Sequence, residues 1–274
     1  MAFSSATHSV QDALPAPLRR SRGMRWLGDI HGSLQIHDAI REARAQDFAI
    51  GFIGDLTDQS PSDGDAPNDS AAIIRTLLEL DAQGLALITP GNHCFKLLRY
   101  LTHWREGDGG EQRLQLTHGL DRTIAEIMAA PDRDTLIEGY LRVVGAAPLW
   151  RQIGPYLFVH AAAAPAMFTR HAPSAAHALT LRGDGLVHRA LYGQTAPNAA
   201  QGALPIRLYD WASAIPARHT VVIGHDRVPD VQTTTNPAGG QLVRIDTGAG
   251  KGGRLSWIDI DAQTLAFEAP GAIE

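Results

Sequence analysis

Six short apolar runs in this 274-residue chain lead straight into polar residues, and no other sequence feature constrains the fold as strongly. The runs and the residues that follow them are MRWLGDIHG, FAIGFIGDLTD, LALITPGNH, PYLFVHA, TVVIGHD and QLVRIDTG. Each has the pattern of a short buried strand that opens into a polar loop. Ligands of open α/β sheets bind where the carboxyl ends of strands meet, so the pattern predicts one shared site built from strand ends.

Helical patterns alternate with the first of these strands. Helices are expected from Leu34 to Ala45, from an N-cap at Ser70 to Gly84, and over FKLLRYLTHW, DRDTLIEGYLRVV and LVHRALYG. Near the C-terminus, LSWIDID and LAFEA are expected to form a closing pair of strands. This order predicts one α/β domain over residues 24–274, with helices outside a central sheet structure. Residues 1–23, rich in small residues and proline, are expected to form a flexible arm.

Composition narrows the class of protein. Hydrophobic residues make up 44% of the chain and charged residues 19%, the balance of a globular protein with a sizeable core. The net charge of -5 supplies no overall basic field for nucleic acid, and the single cysteine, Cys94, excludes an internal disulfide framework. No signal-peptide pattern and no run of ~18 apolar residues is found. We therefore expect a cytoplasmic enzyme that has neither a membrane-spanning segment nor an obligate protein partner.

The polar residues at the strand ends have the chemistry of metal ligands. They are Asp29, His31, Asp55, Asn92, His160 and His225. Asp29 and His31 stand two apart in an extended segment, so both side chains point the same way, and the two oxygens of Asp55 can bridge two cations. Oxygen and imidazole ligands together favour Mn, Fe, Zn, Co or Ni over Ca or Mg. Each residue alone has a structural explanation, as a turn, a cap or a buried histidine. Together, at successive strand ends, they indicate a metal centre.

The motifs GDIHG, GDLTD, GNH, VHA and GHD, in that order, resemble the signature of the calcineurin-like metallophosphoesterases. The resemblance is closer to the branch of the protein serine/threonine phosphatases and the symmetrical diadenosine tetraphosphate hydrolases. The stretches KLLR, THGL, LPIRLYDW, IDTG and GGRLSWIDID further resemble the phosphatase module of bacterial polynucleotide kinase-phosphatases. The likeness spans residues 24–261. It implies a four-layer sandwich, in which two β-sheets are flanked by helices.

The resemblance also implies a role for each motif residue. One divalent metal ion would take Asp29, His31 and Asp55, and a second would take Asp55, Asn92, His160 and His225. His93 would donate a proton to the leaving oxygen, Asp58 would orient the imidazole of His93, and Asp246 would be a further acid of the active site. Manganese is the metal that this resemblance favours most.

Two positions depart from the pattern of the family. Gln59 stands where the phosphatase branch has an arginine that grips a phosphate oxygen, and Cys94 stands where an acid usually follows GNH. A guanidinium from elsewhere could replace the missing charge. The candidates are Arg99, Arg182, Arg189, Arg227 and Arg254. Of these, Arg254 is predicted to bind the substrate together with Gln59 and Asp246. Loss of the usual arginine favours diesters, cyclic phosphates or anhydrides over simple monoesters.

The expected function is hydrolysis of phosphoester or phosphoanhydride bonds by metal-activated water. The substrate would be a phosphorylated small molecule, a nucleotide or a nucleic-acid end. Symmetrical diadenosine tetraphosphate hydrolysis is one alternative. A metal-bearing regulatory or binding module with feeble catalysis is another, from a different class. Protein phosphatase activity fits less well, because the extended motif match is to the enzymes that act on nucleotides and RNA ends.

Overall fold

The structure, a computed structural model, describes residues 15–59, 67–107, 116–196, 206–266 and 271–273. Its strands are β1 (Gly23–Leu27), β2 (Phe48–Phe52), β3 (Ala86–Ile88), β4 (Trp150–Ile153), β5 (Tyr156–Val159), β6 (Thr220–Ile223), β7 (Gln232–Thr235), β8 (Gln241–Arg244), β9 (Ser256–Asp261) and β10 (Gly271–Ala272). Its helices are α1 (Ala16–Arg19), α2 (Ile36–Ala45), α3 (Ser70–Ala82), α4 (Asn92–Glu106), α5 (Leu120–Ala129), α6 (Arg133–Ala146), α7 (Ala175–Ala178) and α8 (Gly185–Tyr192). Two 3₁₀ turns cover Pro165–Phe168 and Asp210–Ala214.

The strands form two mixed five-stranded sheets. The first has the order β10-β9-β1-β2-β3 and the second the order β4-β5-β6-β8-β7. In the first sheet β1, β2 and β3 run parallel, and in the second β5, β6 and β8 run parallel. Helices α2 and α3 lie in the crossovers of the first sheet and α7 and α8 in the crossover from β5 to β6, whereas the connection from β6 to β8 contains β7. The parallel strands of each sheet therefore end at one edge, where the predicted site residues follow them.

The inner faces of the two sheets pack against each other. Their apolar cluster draws on both sheets, because strands alternate the direction of their side chains. At its centre the rings of Trp26 on β1 and Phe158 on β5 stack with their centroids 3.7 Å apart. The second and larger cluster joins the outer faces of the sheets to the helices. This confirms the four-layer arrangement of two sheets flanked by helices.

A buried ion pair joins two neighbouring strands of the first sheet. The Arg25 guanidinium, 2% exposed, donates to both carboxylate oxygens of Asp259 at 2.9 and 2.7 Å. The two residues are register partners on β1 and β9, and the guanidinium also lies over the Trp257 ring at 4.1 Å. A buried charge is tolerated only when it is paired in this way, so the contact fixes the register of β9 against β1.

Several local expectations need correction. Helix α3 has Asp69 and not Ser70 as its N-cap, because the Asp69 carboxylate accepts the N–H of Ala72 at 2.8 Å. In the LAFEA segment, residues 265 and 266 lie outside any strand and residues 267–269 lie outside the described residues. The strand that closes the first sheet is β10, two residues long. Helix α5 has no counterpart among the sequence-based expectations.

The start of the chain is described from Pro15 onwards. Within the stretch expected as a flexible arm, α1 buries Leu18, which joins the cluster between the sheets. Over the described ranges, no helix combines the length and the apolar character that crossing a membrane requires.

Candidate metal centre

The strand ends bring the six predicted ligands to one place. Asp29 and His31 follow β1, Asp55 follows β2, and Asn92 opens α4 after β3. In the second sheet, His160 follows β5 and His225 follows β6. Two groups of side chains result, and in each the ligand atoms lie within 4.8 Å of one another: Asp29, His31 and Asp55 form the first, and Asp55, His160 and His225 the second. The carboxylate of Asp55 belongs to both groups.

His160 stands at the centre of the second group. Its Nδ1 lies 2.7 Å from the carbonyl oxygen of Ile53, so Nδ1 carries the proton and donates to that oxygen. The opposite nitrogen, Nε2, lies 3.0 Å from Asn92 Oδ1, 3.1 Å from His225 Nδ1 and 3.2 Å from Asp55 Oδ2. A nitrogen lone pair, two oxygens and a second imidazole nitrogen therefore converge, which is the donor set of a divalent transition metal.

His31 is oriented in the same manner. Its Nδ1 lies 3.2 Å from each of the carbonyl oxygens of Thr57 and Asp58, which leaves the lone pair on Nε2. That nitrogen is buried and has no hydrogen-bond partner among the described residues, and the same holds for Nε2 of His225. Leaving a buried polar atom unpaired costs about 1–3 kcal/mol. A cation held by His31, Asp29 and Asp55 accounts for the first of these atoms, so the residues fit a metal site.

Mutual charges in the cluster act in the direction that favours a cation. Burial works against ionisation of Asp55, yet the surrounding imidazoles, His160 first, hold the pKa of this carboxyl well below its ordinary value. Burial alone would lower the pKa of His160, but the Asp55 and Asp29 carboxylates raise it to about 9. Burial and the neighbouring His160 lower the pKa of His225 to about 3, which keeps that ring neutral. The negative potential that attracts a proton to His160 equally attracts a divalent cation.

The backbone around the centre is held in an unusual conformation. His31, Asp55, Asp58 and His225 all have positive φ angles, of 47°, 36°, 76° and 67°. Such angles are uncommon outside glycine and persist only where the surroundings enforce them. All four residues lie in the loops that follow β1, β2 and β6, which are the loops that carry most of the candidate ligands.

Two glycines make room for the ligand carboxylates. A Cβ on Gly224 would stand 2.0 Å from Asp29 Oδ1, and one on Gly91 would stand 2.3 Å from Asp55 Oδ1. Because the carboxylates lie so close to these glycines, the backbone N–H groups of the residues that follow can donate hydrogen bonds to them. The N–H of His225 donates to both oxygens of Asp29 at 3.1 Å, and the N–H of His93 donates to Asp55 Oδ1 at 2.9 Å. The GNH and GHD motifs thus provide a close contact as well as a ligand.

His93 lies at the mouth of the centre beside the first group. Its Nδ1 lies 3.0 Å from Asp58 Oδ2, and its ring meets that of His31 edge-on at 5.0 Å. Asp58 is itself fixed, since its N–H donates to Thr123 Oγ1 on α5 at 3.1 Å. Burial lowers the pKa of His93, but the Asp55 charge and the Asp58 hydrogen bond and charge outweigh it and raise that pKa. This geometry allows a protonated imidazole that exposes Nε2 to a substrate.

An arginine that sequence reasoning missed lies against Gln59. The Arg122 guanidinium on α5 donates from Nη1 to Gln59 Oε1 at 2.9 Å, and its Nε donates to Glu126 at 3.1 Å. Gln59 is 1% exposed. The position where the family has an arginine is therefore next to a guanidinium from another element. The sequence offered no signal for it, because α5 was not expected as a helix.

The remaining predicted residues have clear positions. Asp246 follows β8 and is buried near Asp29; burial and the Asp29 charge raise its pKa to about 7, and its carboxylate accepts the N–H of Gly248 at 2.9 Å. Arg254 is an exposed residue that pairs with Asp230. Cys94 is fully buried in α4, and burial raises the pKa of its thiol to about 12.

Sequence relatives cover most of the chain. A protein of Geobacillus thermodenitrificans named bis(5'-nucleosyl)-tetraphosphatase PrpE [asymmetrical] is 29% identical over 246 residues, which are 84% of this chain and 87% of that protein. A protein of Bacillus cereus with the same name is 26% identical over 244 residues, with the same shares of each chain. No protein-family model matches the chain.

Solved structures share the fold. A proposed diadenosine tetraphosphatase superposes with a TM-score of 0.51 at 21% identity, covering 92% of this chain and 94% of the other. A protein serine/threonine phosphatase of Saccharomyces cerevisiae superposes with a TM-score of 0.50 at 14% identity, covering 92% and 81%. Fold, strand-end ligand geometry and relatives all agree with the motif resemblance to the calcineurin-like metallophosphoesterases.

Proposed function

We propose that this metal-dependent phosphoesterase hydrolyses the phosphoanhydride bonds of dinucleoside polyphosphates, with asymmetrical cleavage of the tetraphosphate. The observation that carries the hydrolytic part is the pair of ligand groups that share Asp55. The substrate class is supported by the names of the relatives, which are bis(5'-nucleosyl)-tetraphosphatases designated asymmetrical. Nothing in those names favours the symmetrical reaction.

Asp29, His31 and Asp55 would hold one cation, and Asp55, Asn92, His160 and His225 the other. Two cations bound there would lower the pKa of a water molecule and neutralise phosphoryl oxygens. Manganese is our proposed metal, since imidazole with carboxylate and amide oxygens suits it and its neighbours in the transition series. The backbone N–H groups of His93 and His225 would keep the ligand carboxylates in place.

His93 would donate the proton that the leaving oxygen needs. Asp58 holds Nδ1 of the ring at 3.0 Å, so Nε2 is the atom available to the substrate. The leaving group of an anhydride is a nucleotide phosphate, which is less basic than an alkoxide and depends less on this proton. No serine or cysteine nucleophile is needed, and the buried thiol of Cys94, with its pKa raised to about 12, is unsuited to that role.

The test combines metal loading with product analysis. Chelator-treated protein should be inactive on diadenosine tetraphosphate and should regain activity when Mn²⁺ is restored, with Fe, Zn, Co and Ni ions compared in parallel. Asymmetrical cleavage yields ATP and AMP, whereas symmetrical cleavage yields two molecules of ADP, so chromatography of the products separates the two reactions. Asp55→Asn should lose both bound metal and activity. Full activity without metal, or equal activity of Asp55→Asn, would refute the proposal.

A further inference from the structure

A cavity of about 460 Å³ lies between α4 and α8, outside the metal centre. Its volume falls in the range of roughly 300–1,000 Å³ that small-molecule sites occupy. Apolar side chains, three rings and one guanidinium form most of its wall; they include Phe95, Arg99, Leu181, Val187, His188 and Tyr192. An apolar cavity with a few polar groups is the usual form of a ligand site.

The cavity adjoins the metal centre through both of its helices. Helix α4 begins at Asn92, and Phe95 and Arg99 lie three and seven residues further on, on the same helix face. Helix α8 is tied to the second sheet, because the N–H of Ala161, the residue after His160, donates to the carbonyl oxygen of Ala190 at 2.9 Å. The Tyr192 phenol at the end of α8 lies within electrostatic reach of both Arg99 and Asp55.

The rings of the cavity leave surface available for stacking. Tyr192 is 39% exposed, although large apolar side chains are usually more deeply buried, and its centroid lies 5.2 Å from that of His188. Arg99 is exposed and forms no ion pair with a described residue. The acid in the wall, Asp184, is already engaged, since its carboxylate caps α8 by accepting the N–H groups of Leu186 and Val187. The wall therefore offers aromatic faces and a positive charge.

We propose that this cavity binds the nucleobase and ribose of the nucleotide whose phosphates reach the metal centre. The inference rests on the proposed function and names the part of the protein that recognises the nucleoside. Every nucleobase, whichever it is, presents a flat face that stacks on aromatic rings. An arginine can stack on the same face or donate to acceptors at the base edge. The apolar wall disfavours the phosphates themselves, which would direct the polyphosphate out of the cavity towards Asp55.

A kinetic comparison of two substrates tests the cavity. Diadenosine tetraphosphate carries the nucleoside and p-nitrophenyl phosphate does not, so the quantity to measure is the ratio of their kcat/KM values. Tyr192→Ala and Arg99→Ala should each lower this ratio by about tenfold to a hundredfold, mainly through KM, as loss of one base-stacking contact does. Trp104→Ala is the matched control: it is also 39% exposed and lies on α4, but outside the cavity, so the ratio should not change. An unchanged ratio in both cavity variants would overturn the proposal.

Binding of adenosine gives a readout that does not depend on catalysis. Isothermal titration calorimetry of the metal-loaded enzyme with adenosine should show saturable binding, which Tyr192→Ala weakens at least tenfold and Trp104→Ala leaves intact. If the wild-type enzyme hydrolyses p-nitrophenyl phosphate but not diadenosine tetraphosphate, the proposed substrate class is wrong, and the calorimetry then decides about the cavity alone. Absence of adenosine binding, or binding that Tyr192→Ala does not affect, overturns the inference.

Discussion

Replacing Gln59 by arginine restores the residue that the phosphatase branch has at this position. From the sequence alone, Gln59→Arg would add a contact to a monoester phosphate and raise kcat/KM for monoesters over matched diesters by ~10-fold, or ~1.4 kcal/mol. In the structure, however, Gln59 is 1% exposed and its side-chain amide oxygen, Oε1, accepts a hydrogen bond from Arg122 at 2.9 Å. The guanidinium that Gln59→Arg introduces would therefore lie beside the guanidinium of Arg122.

The size of the repulsion follows from the distance. Two unit charges ~4 Å apart repel by about 4 kcal/mol at an effective dielectric constant of ~20. Arg122 is 41% exposed, so solvent screens the pair and reduces the penalty to about 1–2 kcal/mol. That loss is as large as the expected gain in transition-state binding. We therefore expect the single variant to be less stable and to show little gain in selectivity for monoesters.

The paired variant separates the two effects. In Gln59→Arg/Arg122→Gln the donor and the acceptor exchange places, so the hydrogen bond can re-form without a second positive charge beside it. The free energy of unfolding, measured with urea for the wild type, both single variants and the double variant, gives the coupling between the two positions. We expect the double variant to recover about 1–2 kcal/mol relative to Gln59→Arg and to show the monoester preference.

Gln46→Arg is the control, because it adds the same charge at the exposed end of α2. It should change the free energy of unfolding by no more than about 0.5 kcal/mol, and it should leave the ratio of monoester to diester rates unchanged. The reasoning is refuted if Gln59→Arg alone is as stable as the wild type and favours monoesters tenfold. That result would mean that Arg122 turns away from position 59 at no cost and takes no part in charge balance there.

Three further predictions concern the centre itself. His93→Ala should slow hydrolysis of alkyl esters by ~10²–10⁴-fold and of nitrophenyl esters much less, with a weaker form of the same pattern in Asp58→Asn; equal losses on both esters would remove His93 from the role of proton donor. Gly224→Ala should weaken metal binding at least tenfold in calorimetric titrations, since the added methyl group would stand 2.0 Å from a ligand carboxylate, whereas Gly145→Ala, with its nearest contact at 3.6 Å, should bind metal normally. Cys94 should react with a thiol reagent only after denaturation, and rapid labelling of the native enzyme would contradict its burial.

The strand-end motifs predicted that the candidate ligands cluster, and sheet geometry accounts for part of this. Parallel strands of one sheet end at a common edge, so polar residues placed shortly after Leu27 and Phe52 come together, whereas the approach of His160 after Val159 depends on how the second sheet packs on the first. The four layers followed from the family resemblance, and the alternation of helices and strands supported them. The register of β9 on β1 was not predictable, since it depends on Arg25 and Asp259, which are 234 positions apart.

What the sequence did not supply was the surroundings of the motifs. Helix α5 was missed, and with it went the partners of two site residues: Thr123, which fixes Asp58, and Arg122, which contacts Gln59. The arginines proposed as substitutes were chosen by position in the chain, whereas proximity to Gln59 depends on how α5 packs. The α3 N-cap was displaced by one residue because Asp69 and Ser70 are both good caps and only the backbone angles distinguish them.

The conformation of the strand ends links the stability of the fold to its chemistry. Four site residues have positive φ angles, and each such conformation costs on the order of 1–2 kcal/mol for a residue other than glycine. The same loops gather the carboxylates of Asp29, Asp55 and Asp246 in a buried space, where their mutual repulsion opposes folding. A divalent cation bound there would offset that repulsion and would engage the buried Nε2 of His31, which has no hydrogen-bond partner among the described residues. The same loop contacts would then set both the affinity for the cation and the stability of the fold. Substitutions that relax the strained loops should therefore lower the affinity for the cation while they raise the free energy of unfolding of the metal-free chain.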